Sequence, residues 1–79
     1  MIEIQFLDRL GAVVNSITDE KEICELFDVT EPMLEKDFAL QLASNHMFFT
    51  YIGIRYQYKN VHIDNEKKNS KMTITYKSL

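Results

Sequence analysis

The chain has no tryptophan, one proline, two glycines and one cysteine among its 79 residues. So little glycine and proline argues against a low-complexity or disordered chain. Cys24 alone cannot close an internal disulfide, which points to a reducing compartment rather than a secreted, disulfide-stapled scaffold. No apolar run approaches the roughly 18 residues of a membrane span. The first segment, MIEIQFLDRL, carries Glu3 and lacks a basic start followed by an apolar stretch, so no secretory leader is expected. Together these features predict a cytoplasmic protein with no membrane partner.

What the chain does have is core material, 46% hydrophobic residues with five Phe and four Tyr, enough for one small domain. Its net charge of −3 hides a polarity. Ten acids face Arg9, Lys21 and Lys36 in residues 1–50. In residues 51–79, Asp64 and Glu66 are outnumbered by Arg55, Lys59, Lys67, Lys68, Lys71 and Lys77. A polyanion would be steered to that C-terminal part.

Phe6, Leu10, Val13 and Ile17 recur at four, three and four, with Leu7 and Val14 widening the stripe, so residues 5–15 read as an amphipathic helix. Ile2 to Phe6 also alternates, which leaves a strand start open. Thr18 or Asp19 can cap a second helix that buries Ile23, Leu26 and Phe27 and stops near Asp28. Thr30 can cap a third, with Pro32 in its first turn and Leu34, Phe38 and Leu42 on its buried side, ending at Ser44 to His46. From Met47 the character changes. Phe49 and Tyr51 alternate before Gly53, and Ile54, Tyr56 and Tyr58 alternate after it, a hairpin signal. The run DNEKKNS, with its surroundings 64–71, reads as a polar loop. Met72, Ile74 and Tyr76 can then add a last strand.

Two short helices across a turn, then a hairpin, is the order of a winged helix-turn-helix. Ile17 to Phe38 resembles the start of excisionase-like and MerR-like DNA-binding domains of phages and mobile elements, with Asp19 as first cap, Cys24 as the small central residue, Val29 as anchor and Thr30 as second cap. Tyr51-Ile52-Gly53-Ile54-Arg55-Tyr56-Gln57-Tyr58 is similar to the family's wing. The resemblance implies an α+β fold: an N-terminal helix, a helix-turn-helix, a β-hairpin wing and a C-terminal strand, in one domain over 1–79. It also implies an excisionase or small regulator that binds duplex DNA. On that reading Arg55, Gln57, Lys59, Lys67, Lys68 and Lys71 contact DNA from the wing and tail, and Thr30, Lys36 and Gln41 from the recognition helix.

The same helix carries Glu31, Glu35 and Asp37, and acids beside a phosphate backbone are repelled by it. Those three residues support a second reading, a phage inhibitor or antirepressor whose acidic helix mimics DNA and binds a basic partner such as a nucleic-acid enzyme or repressor. A third reading is a phage assembly component. A homodimer is compatible with each.

No enzyme is expected. His46 and His62 are sixteen residues apart with no neighbouring ligand set, so neither a metal nor a cofactor is predicted. Asp37 or Glu35 with His46 lacks a nucleophile, and no phosphate-binding glycine loop or GxSxG motif occurs.

Overall fold

The computed structural model describes residues 2–30, 37–66 and 69–79, the last strand pair around 65, 66 and 69 by its backbone alone. Among the described residues the architecture is a five-stranded mixed sheet with two short helices against one face. It is not the winged helix-turn-helix the sequence suggested. The strands are β1 (Ile2–Leu7), β2 (Val13–Ile17), β3 (Phe48–Tyr51), β4 (Ile54–Glu66) and β5 (Asn69–Ser78), in the order β2-β1-β5-β4-β3. The helices α1 (Glu20–Phe27) and α2 (Phe38–Asn45) lie between β2 and β3 in sequence. Central β1 and β5 are parallel, and the remaining pairs are antiparallel.

The expected helix over 5–15 is a β-hairpin. Its period-two signal, Ile2, Ile4 and Phe6, prevails over the helical spacing because all three side chains reach the core. The turn is decided by Asp8 and Gly11. One Asp8 carboxylate oxygen, Oδ1, accepts from the backbone N–H of Leu10 at 2.8 Å and of Ala12 at 2.9 Å. Gly11 adopts a φ of +89°, a conformation that favours glycine. Leu10, placed on the buried stripe by the helical reading, is 93% exposed.

α1 forms where expected. The Asp19 carboxylate caps it by accepting from Lys21 N–H at 3.2 Å, and Glu20 and Glu22 suit the positive end of its dipole. Asp28 ends it in the left-handed region, φ 54°. The described part of the third expected helix is α2, which starts at Phe38 with Asp37 as its N-cap; the expected segment 31–36 lies outside the described residues.

The core is one cluster. Ile2, Ile4, Phe6 and Ile17 join Met72, Ile74, Tyr76 and Tyr56 from the sheet, and Ile23, Phe27, Phe38, Ala39 and Leu42 from the helices. Phe6 stacks on Tyr51 at 4.5 Å between ring centroids and meets Tyr56 at 4.8 Å; Phe27 meets Phe49 at 4.5 Å and Phe38 edge-on at 6.1 Å. Tyr76, fully buried, satisfies its hydroxyl by donating to the His46 carbonyl at 2.8 Å, which ties β5 to the end of α2. Burial pushes its phenol far above the usual range, so it stays protonated and donating well into alkaline solution.

The polar run expected to be a loop over 64–71 is mostly strand. Asp64 pairs with Lys71, Asn65 with Ser70 and Glu66 with Asn69, so β4 and β5 form one long hairpin. A bulge at Lys59 falls between the Tyr58 and Asn60 pairs.

β3 and β4 are joined by Ile52 and Gly53, both with positive φ (47° and 74°), as the two-residue hairpin loop of type I′ requires. Glycine suits the second position. A β-branched Ile at the first is an outlier that costs on the order of 1–2 kcal/mol.

Candidate functional site: the helix-free face of the sheet

Strand parity divides the side chains between two faces. One face carries the apolar residues above and is covered by the helices. Among the described residues the other has no layer over it. Its side chains form rows across the sheet, fixed by the pairing register. The upper row runs Val13, Leu7, Lys77, Gln57, Phe48 across all five strands; above it Arg55 pairs with Thr50. Below come Ser16, Gln5, Thr75 and Asn60, then Glu3, Thr73 and His62, and finally Lys71 opposite Asp64.

The two ends of this face differ in charge. At the lower end Lys71 Nζ lies 2.6 Å from a Glu3 carboxylate oxygen, and Asp64 stands across from Lys71, so charge is balanced. The Lys71 hydrogen bond, with a second from the Gln5 amide at 3.0 Å, holds the Glu3 carboxyl below its ordinary value of 4.5. A depressed carboxylate stabilises the fold above its unfolded pKa, and that contribution is lost as pH falls through the folded one. Glu3→Gln is therefore expected to remove part of the loss of stability seen on acidifying below pH 4.5. Because Lys71 is 44% exposed, screening limits the effect to about 0.5–1 kcal/mol. Urea midpoints at pH 7 and at more acid pH check it; equal acid sensitivity in both proteins would exclude Glu3 as the source.

At the upper end no Asp or Glu side chain forms an ion pair with the cations among the described residues. Arg55 is exposed, its guanidinium held over the Phe48 ring at 5.6 Å from the centroid and hydrogen-bonded to Thr50 Oγ1 at 3.3 Å. Lys77 lies one strand away across from Gln57. Arg9 reaches the same edge, its Nε donating to the Leu79 carbonyl at 2.8 Å, while Leu79 N–H donates to the Arg55 carbonyl at 3.1 Å. Arg9, Arg55 and Lys77 thus converge on one end of an open face where the Gln57 amide and the Thr50 and Thr75 hydroxyls stand beside the apolar Val13, Leu7 and Phe48.

Of the residues predicted from sequence to touch DNA, Arg55 and Gln57 come together here. Lys71 is on the same face but at the neutralised end, and Lys59 is exposed at the bulge. Gln41 is not with them. It sits on α2, half-buried, and helps line a cavity of about 310 Å³ with Phe27, Phe38, Leu42 and His46. Thr30 is exposed beyond the end of α1, and Asp37 is exposed at the α2 N-cap. Lys36, Lys67, Lys68, Glu31 and Glu35 lie outside the described residues. The recognition-helix assignment falls with the fold: α1 and α2 spend their apolar sides on the sheet, in a layer opposite the cationic end.

Sequence reasoning missed Lys77, Arg9 and Phe48. Parity carried a signal for Lys77, since it alternates with the apolar Met72, Ile74 and Tyr76. Arg9 was hidden by the helical reading of 5–15. The tyrosines of the hairpin face the core, where Tyr56 is buried and Tyr51 and Tyr58 pack against it. Cys24 is half-buried on α1.

The helix layer has the opposite sign. Asp19, Glu20, Glu22, Glu25, Asp28 and Asp37 are all exposed there, against Lys21. Among the described residues no group of three His, Cys, Asp or Glu side chains could hold a metal ion, and no helix is long and apolar enough to cross a membrane. No protein-family model, no curated protein and no solved structure matches the chain.

Proposed function

We propose that this is a small binding protein that engages duplex DNA through the upper end of its helix-free sheet face and the adjoining β3–β4 hairpin. The observation that carries the reading is the convergence of Arg9, Arg55 and Lys77, without an Asp or Glu ion-pair partner among the described residues, on a face rich in hydroxyl and amide groups. Arg and Lys supply phosphate contacts, and Gln57 and the threonines supply hydrogen bonds that fix register. The hairpin takes the place of the recognition helix. The acidic helix layer, on the far side of the sheet, is kept away from the phosphates by this orientation.

The test is fluorescence anisotropy with a labelled random-sequence duplex at increasing salt. Three phosphate contacts give a log–log slope of about −2.7, or a loss of roughly 40-fold in affinity from about 50 to about 200 mM salt. No binding at the lowest salt, or binding indifferent to salt, would overturn the reading.

A second reading rests on the helix layer, where among the described residues six exposed acids face one lysine. Such a surface suits a basic protein partner. It requires that Glu22→Lys with Glu25→Lys abolish complex formation with that partner, while leaving any DNA affinity equal or higher.

A further inference from the structure

The β3–β4 turn is unfavourable in two independent ways. Ile52 occupies a left-handed backbone position, φ 47°, where Asn, Asp or Gly is the ordinary choice. The residue is also 73% exposed, so little packing among the described residues offsets the strain. Gly53 follows it with open space around its Cα. Ile54, which closes the turn opposite Tyr51, is 46% exposed. Backbone strain that the fold itself does not repay is a mark of a working surface. This tip is apolar, narrow and closely followed by Arg55, whose guanidinium is already oriented by Phe48 and Thr50.

We propose that the Ile52–Gly53 tip is a wedge that enters the minor groove of duplex DNA and partly unstacks one base step, opening that groove and kinking the duplex away from the tip, toward its major groove. The inference rests on the DNA-binding reading above and adds to it the part of the protein that deforms the DNA. Apolar side chains presented on a narrow support beside arginine are the chemistry that does this, and the bend brings further phosphates to the protein. Arg55 sits three residues after the wedge and can follow the groove. Arg9 and Lys77 meet the phosphates that border the opened minor groove. Flexible pyrimidine–purine steps, TA above all, are the sequences that deform with least resistance, so the wedge predicts a preference for them.

Two signals separate this from plain phosphate binding: the fluorescence of 2-aminopurine placed beside a TA step, which rises when the base unstacks, and energy transfer between dyes at the two duplex ends, which reports the bend. The wild-type chain is expected to raise both. Ile52→Asn keeps a residue tolerant of the left-handed position while removing the apolar wedge. It is expected to raise the melting temperature of the protein, to abolish both signals, and to weaken binding about tenfold, because an unbent duplex no longer reaches the outer phosphate-binding groups. Ile52→Gly, equally compatible with the turn, is expected to behave the same way and guards against an effect peculiar to Asn. Wild-type binding without unstacking, or undiminished unstacking and bending by both variants, would overturn the wedge while leaving the DNA-binding reading intact. A wild-type chain that does not bind the duplex at all would overturn the parent reading, and the wedge with it.

Discussion

Phe27→Ala is expected to cost about 3–5 kcal/mol of folding stability, the usual range for emptying a buried aromatic site. Phe27 is the last residue of α1 and is 2% exposed. Its ring meets elements far apart in sequence: Phe38 on α2, His46 at the end of that helix, Phe49 on β3 and Tyr76 on β5. No neighbour can fill the vacated space without moving a strand or a helix. A chain of this length has a total stability of about 4–12 kcal/mol, so the loss is a large share of the whole. The melting temperature should fall by roughly 15–30 °C. Leu10→Ala is the matched control. Leu10 is 93% exposed at the β1–β2 turn, and its removal should change stability by less than about 0.5 kcal/mol. The pair discriminates between folds, because the helical reading of residues 5–15 puts Leu10 in the core. Should Leu10→Ala prove the costlier of the two in urea unfolding, the β-hairpin assigned to the N-terminus would be wrong.

The double charge reversal Arg55→Glu with Lys77→Glu is expected to weaken duplex binding by about a hundredfold or more at low salt, as two phosphate contacts are replaced by two repulsions. Both side chains lie on the helix-free face, so the melting temperature should stay close to that of the wild type. Lys71→Gln is the comparison on the same face. Lys71 is already paired with Glu3 and faces Asp64, and its loss should change DNA affinity no more than about threefold. Anisotropy titrations of the three proteins on one duplex decide the matter. Equal affinity of the double variant and the wild type would remove the sheet face from consideration and leave the acidic helix layer as the surface to pursue.

Part of the site is legible in the sequence and part is not. The hairpin centred on Gly53 is legible because alternation on either side of a glycine has a short-range cause, the pleat and the turn. That alternation puts the polar residues Arg55 and Gln57 on one side, and the two do lie on one face. Charge alone singles out Lys67 and Lys68, which lie outside the described residues. Gln41 owes its expected role to the helix-turn-helix pattern and is placed instead on the helix layer.

The N-terminal error has a clear physical origin. Phe6, Leu10, Val13 and Ile17 satisfy helical spacing as well as any amphipathic helix, whereas Ile2, Ile4 and Phe6 satisfy strand spacing over a shorter run. Local pattern cannot weigh the two. The decision comes from β5, at the other end of the chain, which offers β1 a parallel partner from Met72 to Lys77 and buries Ile2, Ile4 and Phe6 against Met72, Ile74 and Tyr76. The polar run from Asp64 to Ser70 misleads for a related reason. Polar composition suggests a loop, yet cross-strand backbone hydrogen bonding is indifferent to composition, and the pairing of Met72 with Ile63 carries the ladder onward to Glu66 and Asn69.

By itself, then, the sequence determined what has local causes. It placed α1 with its Asp19 cap, the apolar–polar alternation of β3, the upper part of β4 and β5, the turn at Gly53, and the gradient of charge along the chain. Only the tertiary structure decided what depends on residues distant in sequence meeting in space. It made the N-terminus a hairpin and set β1 beside β5. It turned a charge gradient along the chain into an acidic helix layer opposite a cationic sheet end, and it gathered Arg9, Arg55 and Lys77 from three separate segments. Nonlocal pairing is set by the burial of whole faces, and a face is a property of the assembled sheet that no single strand displays.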